Sequence, residues 1–341
     1  MTRADGLAIN ELAAQCPDNG LVSVYSVFRD NAYESLKSLR PNLLGVVAEA
    51  PGCDGLAGMA MVSFDHCSVQ HEIAPYALLN SLMVHPGCRR KGLARQISDN
   101  LIDICRNHMG DRGFIIANIQ ACNDISQRTV RPWRNQLLPP ITVVPAPLRK
   151  HPPKPLYGVS VGPLETNKLE EFAHRHNTFY QDYNFYKPET ASTLCAWLSH
   201  NPLQPAMHHC LVATDPSHNL LAGLAFQETH QLHTYHVVKM PAVMGAANKL
   251  LHVIPPDGVI REIQVSRLWF QPGQTSAARY LWDTARYRCR ETATSFLVFF
   301  DPRSPLADVF RLKPWSIKTS MMTAVKGPIS VDSEQLICPI P

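Results

Sequence analysis

Residues 78–108, LLNSLMVHPGCRRKGLARQISDNLIDICRNH, constrain this chain more than any other stretch. An apolar run of strand length enters a turn carrying Arg89, Arg90 and Lys91, and Gly92 closes that turn before a long amphipathic segment. Ala94, Ile97, Leu101, Ile104 and His108 recur at three- and four-residue intervals, which predicts a helix with one buried face. A helix N-terminus presents several backbone N–H groups without partners and about half a unit of positive charge. A phosphate placed there satisfies the donors and the dipole together. Gly92 lets the backbone approach such an anion, and Ala94 keeps the first turn thin. Arg89, Arg90, Lys91 and Arg95 add formal charge at the same spot. The alternative reading is a strand-to-helix turn with a solvated basic edge.

The run Arg89-Arg90-Lys91-Gly92-Leu93-Ala94 has the form R-x-x-G-x-A and resembles the pyrophosphate-binding loop of the GNAT acetyltransferase superfamily. Val84-His85-Pro86 is similar to the V-x-P that ends the fourth strand of that fold. The resemblance implies that this strand is splayed from the fifth, leaving backbone at Met83 and Val84 to bond a thioester carbonyl and a pantetheine arm. A free strand N–H aimed at a carbonyl is also a reasonable oxyanion donor. Phe114 to Ala121 is an apolar run of strand length, and Asn123 falls where family members place an asparagine against the CoA arm. The resemblance thus implies acetyl-CoA, or another acyl-CoA, as co-substrate. Its binding residues would be Met83, Val84, Arg89, Arg90, Lys91, Gly92, Leu93, Ala94, Arg95 and Asn123.

The chain also repeats itself at an offset of 184 residues. Ala94, Arg95, Asp99, Cys105 and Arg106 coincide with Ala278, Arg279, Asp283, Cys289 and Arg290, each set lying between two apolar strands. The second turn is degraded: Gly273 stands where Arg89 does, Ser276 where Gly92 does, and the four cations shrink to Arg279. Weak CoA binding, or none, is expected there. Eight prolines between Pro139 and Pro163 mark a connector that cannot be helical for long. We expect it to lend a strand over Thr142–Val144 to the first half.

The expected domains are 1–145, binding acyl-CoA, and 146–341, with a degenerate loop. The expected fold class is α/β: two tandem GNAT-like domains, each a mixed, mostly antiparallel twisted sheet flanked by helices. Val22–Leu39, Lys168–Asn177, Glu189–Ser199 and Ala242–Leu251 read as helices. Leu44–Glu49, Leu56–Phe64, Leu156–Val161, Cys210–Thr214, Leu220–Gln227 and Val259–Phe270 read as strands. From about residue 40 the arrangement is similar to tandem-GNAT proteins of the plant Hookless type. A further mark of that similarity is Asp301-Pro302-Arg303-Ser304-Pro305-Leu306 leading to Lys313-Pro314-Trp315.

Composition narrows the function classes. At 45% hydrophobic and 18% charged residues the chain is an ordinary globular protein, and 341 residues suit two domains. A net charge of +4 without a dense basic run speaks against a nucleic-acid partner. No stretch approaches the length of a membrane span, and the first residues carry no signal-peptide run, so a cytoplasmic protein is expected. Ten cysteines without a C-x-x-C pair suggest reduced thiols and no metal site. His230, His233 and His236 at a spacing of three would alternate faces of a strand rather than converge on a zinc ion.

Acyl transfer to an amine needs a held thioester, an oxyanion donor and a neutral amine. An alkylammonium of pKa about 10.4 left protonated at pH 7 costs roughly 4–5 kcal/mol of barrier. The family's strand base, six residues before the V of V-x-P, falls here on Leu78, which cannot serve. Asn80 can only orient a water, and Glu72 qualifies if 66–76 is a loop folded over the cleft. Beyond Asn123 the family's acidic tyrosine is replaced by Arg131-Pro132-Trp133, so Trp133 reads as packing. In the second half Leu78 maps onto Glu262, a carboxylate at the base position, whose other reading is an ion pair with Arg261 or Arg267. The expected function is an acyl-CoA-dependent N-acyltransferase for a small-molecule amine. The alternatives are a non-catalytic acyl-CoA-binding regulator and other acyl-CoA chemistry such as decarboxylation.

Overall fold

The computed structural model describes residues 1–340 except 19, 21, 204–205, 243–244, 246–247, 249–253 and 314–315. In chain order the first half runs α1 (Gly6–Gln15), β1 (Ser23–Phe28), α2 (Ala32–Leu39), β2 (Leu43–Ala48), β3 (Gly58–Val69) and β4 (Glu72–Val84). It continues through α3 (Leu93–Met109), β5 (Phe114–Gln120), α4 (Asp124–Val130), β6 (Gln136–Leu137) and β7 (Ile141–Pro147). The second half runs β8 (Ser160–Pro163), α5 (Leu169–Tyr180), β9 (Tyr183–Asn184), α6 (Ala191–Ser199), β10 (His208–Thr214) and β11 (Leu220–Gln227). After β12 (His233–Lys239), β13 (Val259–Ile260) and β14 (Glu262–Phe270) come α7 (Thr275–Arg288) and β15 (Ser295–Phe300). The last elements are α8 (Leu306–Phe310), β16 (Thr319–Lys326) and β17 (Leu336–Ile337).

One twelve-stranded sheet joins both halves in the order β2-β3-β4-β5-β16-β7-β15-β14-β11-β10-β8, with β6 beside β16. Its pairs are antiparallel except β4 with β5 and β14 with β15. Helices flank it, and the buried face of α3 is turned from the expected stripe: Ile97 and Leu101 are buried as predicted, Ala94 and Ile104 are half-buried and His108 is exposed. Ile97, Leu101, Ile102 and Cys105 of α3 pack on β3, β4 and β5, and Ala278, Leu281, Trp282 and Ala285 of α7 occupy the matching place in the second half. Each large apolar side chain so buried contributes about 1.5–3 kcal/mol. The mixed α/β class with flanking helices is as expected.

The halves exchange strands. β7, from the proline-rich connector, does not join the first half; Thr142–Pro147 pairs with Phe300–Ser295 of β15. In return β16 crosses to β5, with Met321 opposite Gln120 and Lys326 opposite Ile115, and it meets β7 at the centre. The first half's β1 likewise leaves its own sheet and pairs with β12 in a small separate sheet with β13.

Several local expectations shift. Val22–Leu39 is not one helix but β1 followed by α2, because Asn31 caps α2 by accepting from Glu34 N–H and stops the helix extending backwards. The segment 66–76 is no loop: β3 and β4 continue through it as a hairpin with Val69 opposite Glu72 and turn residues Gln70 and His71 at positive φ. The strand read over Leu156–Val161 begins only at Ser160. Much of the helix read over 242–251 lies outside the described residues, as do Pro314 and Trp315.

Because β5 is completed by β16 and β15 by β7, residues 1–145 expressed alone would leave β5 with a bare edge, a hazard for aggregation. We expect neither 1–145 nor 146–341 to give a soluble, cooperatively unfolding protein alone, and co-expression to restore one. A cooperative transition in either isolated half would contradict the exchange.

Candidate functional site

Leu79 of β4 and Ala117 of β5 form the last parallel pair, after which the two strands part. On its other edge β4 carries a bulge: Met61 faces Asn80 but Met59 faces Met83, and Ser81 takes a left-handed φ of 51°. The rest of β4, to Val84, therefore parts from β5 in a wedge, with Cys16 bonded to Val84 on one strand and Asp18 accepting from Gln120 Nε2 at 2.7 Å on the other. His85 N–H donates to Ala57 O on the β3 side, so strand alternation turns the Val84 amide toward the wedge. The Val84 carbonyl, on that same side, accepts from Cys16 Sγ at 3.3 Å and from Arg89 Nε at 3.0 Å. Burial pushes the Cys16 thiol up, an effect Arg89 partly offsets, so the thiol stays a donor.

The chain then reaches the basic turn. Gly92 is the N-cap of α3 at φ 82°, ψ −2°, and no side chain caps the helix. A Cβ on Gly92 would meet nothing within 4 Å, so the left-handed dihedral, not crowding, calls for glycine. Arg90 is left-handed too, φ 64°, at a cost of roughly 1–2 kcal/mol for an L-residue. Gly92 O accepts from Arg95 and Gln96 N–H, leaving the earlier amides of the helix directed outward. Arg90 and Lys91 are exposed, Leu93 and Ala94 are half-buried, and Arg95 reaches Asp99 at 3.6 Å. Wedge and helix end thus adjoin, one offering strand amides and the other an anion site.

Other residues singled out by sequence divide. Asn123 caps α4 by accepting from Ser126 N–H at 3.0 Å, so its side-chain oxygen has a structural partner. Asn80 lies at the mouth of the wedge, with Nδ2 donating to Leu78 O at 3.2 Å. Glu72 is exposed at the hairpin tip, twelve residues up β4 from Val84, roughly 40 Å at the rise of an extended strand. That geometry removes it from the chemistry. Trp133 is 8% exposed and packs in the core with Ile97 and Leu101.

The second half repeats the device and then closes it. β14 and β15 pair only through Gln264 and Leu297, and β14 carries its own bulge where Ala225 faces Arg267 but Phe226 faces Val265. Tyr180, Tyr183 and the segment Ile337–Pro339 line the small cavity left in this second wedge. α7 starts right after Gly273 and Gln274, earlier than the repeat predicts, and Arg279, the remaining cation, donates from Nε to Asp308 O at 2.8 Å.

Glu262 makes no ion pair among the described residues. Arg261 pairs with Asp257 at 2.7 Å and Arg267 with Glu189, so the ion-pair reading of the sequence does not hold. Burial alone raises the Glu262 carboxyl to about 7. The Tyr235 phenol is pushed up by burial and then by Glu262, and Arg40 draws it down. Burial lowers Arg40, against the pull of Tyr76 on β4 and of Tyr235. His233, held near 4 by burial with Arg40 adding to the effect, has no hydrogen bond at Nδ1. Arg40 and Tyr76 of the first half and His233 and Tyr235 of the second thus lie near enough to feel one another's charge. Sequence reading missed Arg40, Tyr76 and Tyr235, since no local pattern marks residues that meet only through tertiary contact. His230, His233 and His236 do not converge; the residues the described structure brings within metal-ligand reach are Cys53, His85 and Cys88.

Between the ordinary carboxylate value of 4.5 and about 7, the folded chain keeps a proton on Glu262 that the unfolded chain releases. Stability therefore falls as pH rises through that window, by an amount on the order of 3 kcal/mol. Glu262→Gln is expected to remove that fall, read from urea unfolding at pH 5 and pH 8. The same loss in wild type and variant would refute the buried carboxyl.

Residues 8–131 match the acetyltransferase (GNAT) family. No curated protein matches the chain. Among solved structures, a GCN5-related N-acetyltransferase from Sphaerobacter thermophilus is 16% identical with a TM-score of 0.62, over 97% of this chain and 95% of that one. N-myristoyltransferase from Saccharomyces cerevisiae, solved with bound myristoyl-CoA, is 10% identical with a TM-score of 0.61, over 98% of this chain and 82% of that one. Both likenesses are of fold and run through both halves. Residues 8–131 thus match the acetyltransferase (GNAT) family, and the chain as a whole shares its fold with these acyltransferase structures.

Proposed function

We propose that this protein moves an acyl group, most simply acetyl, from CoA to the amine of a small-molecule acceptor. The observation that carries the reading is the uncapped helix start at Gly92 set against the parted ends of β4 and β5. In this reading the pyrophosphate sits on the first amides of α3, with Arg90 and Lys91 supplying charge. The arm runs into the wedge, and the thioester carbonyl accepts from the Val84 amide. The amine attacks that carbonyl, the C–S bond breaks, and the thiolate leaves with a proton from solvent, since no tyrosine takes the family's place.

The second half, from about residue 146, contributes the acceptor site rather than a second CoA site. Its filled wedge and engaged Arg279 support that division. Glu262 is suited to take the ammonium proton, because its pKa of about 7 matches the working pH. N-Myristoyltransferase, which shares the whole-chain fold, was solved with myristoyl-CoA, so long-chain donors belong in the test.

Acetyl-CoA and myristoyl-CoA are each offered with a panel of amines while free thiol and product mass are followed. Acyl-amine product is expected, with a rate that rises through pH about 7. Glu262→Gln is expected to lower that rate about 100-fold or more and to flatten the rise. Gly92→Asp is expected to weaken acyl-CoA binding by ~10-fold or more, through backbone strain and like charge. Tight binding without thiol release would replace this reading with a non-catalytic acyl-CoA sensor, and no binding would end it.

A further inference from the structure

Just before the basic turn, the fold assembles a set of ligands that the sequence keeps far apart. Cys53 lies in the turn between β2 and β3, and His85 and Cys88 lie between β4 and Arg89. The sulfur of Cys53, a ring nitrogen of His85 and the sulfur of Cys88 all come within 4.8 Å of one another. We propose that Cys53, His85 and Cys88 form a binding site for a thiophilic divalent cation of the zinc type.

The chemistry of the donors selects the ion. Two sulfurs and an imidazole suit zinc and disfavour magnesium or calcium, which take oxygen. Zinc bonds of about 2.3 Å to sulfur and 2.0–2.1 Å to nitrogen set tetrahedral ligand atoms roughly 3.3–3.8 Å apart. Closing the present spacing to that range takes side-chain adjustments rather than a new backbone path. Gly87 N–H donates to His85 Nδ1 at 3.2 Å, so that nitrogen is unprotonated and must exchange this hydrogen bond for the ion. The backbone supports the set as well. Cys88 N–H donates to His85 O at 2.9 Å, and Cys53 N–H to Ala50 O at 3.1 Å, which fixes the carbons that carry all three side chains. Cys88 is buried, while Cys53 and His85 keep a path to solvent for the ion's entry.

Three protein ligands leave one position to water or an exogenous donor. The ion would tie the β2–β3 turn to the entrance of the loop, four residues before Gly92. Sequence reading looked for C-x-x-C and found none; the pattern here is H-x-x-C at 85–88, completed by Cys53 from another strand connection. The site stands whether or not the acyl-transfer reading holds.

The test uses the full chain loaded with cobalt(II) as a spectroscopic stand-in for zinc. Wild type is expected to take up one ion per chain, with thiolate-to-cobalt charge transfer and the strong visible bands of a four-coordinate site. Added zinc should displace the cobalt and shield Cys53 and Cys88 from alkylation mapped by mass. Cys53→Ser changes a partly exposed turn residue and leaves the core intact; it should lose about half of the charge-transfer intensity, and His85→Ala should weaken uptake without removing that band. Absence of charge transfer, a band unchanged in Cys53→Ser, or a Cys53–Cys88 disulfide formed in place of metal uptake would each overturn the proposal.

Discussion

The structure rests on β16 meeting β5 on one side and β7 on the other. The first half lays down four of its own sheet strands and the second half five, and each then receives the next one from its counterpart. Without that central pair, β5 and β15 would end in open edges, and the polar groups of two long strands would lack partners. The exchange turns two repeats into one continuous sheet. A second cross-half pairing joins β1 to β12.

The repeat makes the two halves comparable place by place. In each, a bulge and an early end to parallel pairing part the fourth and fifth strands of the repeat. In the first half the parted strands face the uncapped start of α3. In the second, aromatic side chains and the segment Ile337–Pro339 occupy the parting, and the helix begins too early to leave a loop. The same local geometry therefore meets an uncapped helix start in one copy and aromatic packing in the other. The second copy retains Glu262, a carboxyl that burial raises to about 7 with no ion pair among the described residues.

What the sequence disclosed was local. α3 and β5 emerge within a residue or two of their hydrophobic patterns, while β4 begins at Glu72, six residues before its apolar run, and the R-x-x-G-x-A run points to Gly92 because a left-handed helix start demands glycine. The offset of 184 residues anticipates the paired wedges. Nothing in the composition of 141–147 says which half it will serve, since strand exchange is decided by edges that form far away in the chain. Glu72 was misplaced because hairpin length, not residue type, decides how far it stands from Val84. Arg261 and Arg267 were plausible partners for Glu262 by proximity in sequence, yet both find other carboxylates across tertiary contacts. Cys53, His85 and Cys88 met for the same reason: two turns on neighbouring strands end at one place.

Amide hydrogen exchange with and without acetyl-CoA addresses the central claim, that the first copy holds the acyl-CoA and the second does not. The account predicts new protection at residues 90–94 and 81–84, with none at 273–279. Protection at 273–279, or no change at 90–94 while acetyl-CoA is bound, would contradict it.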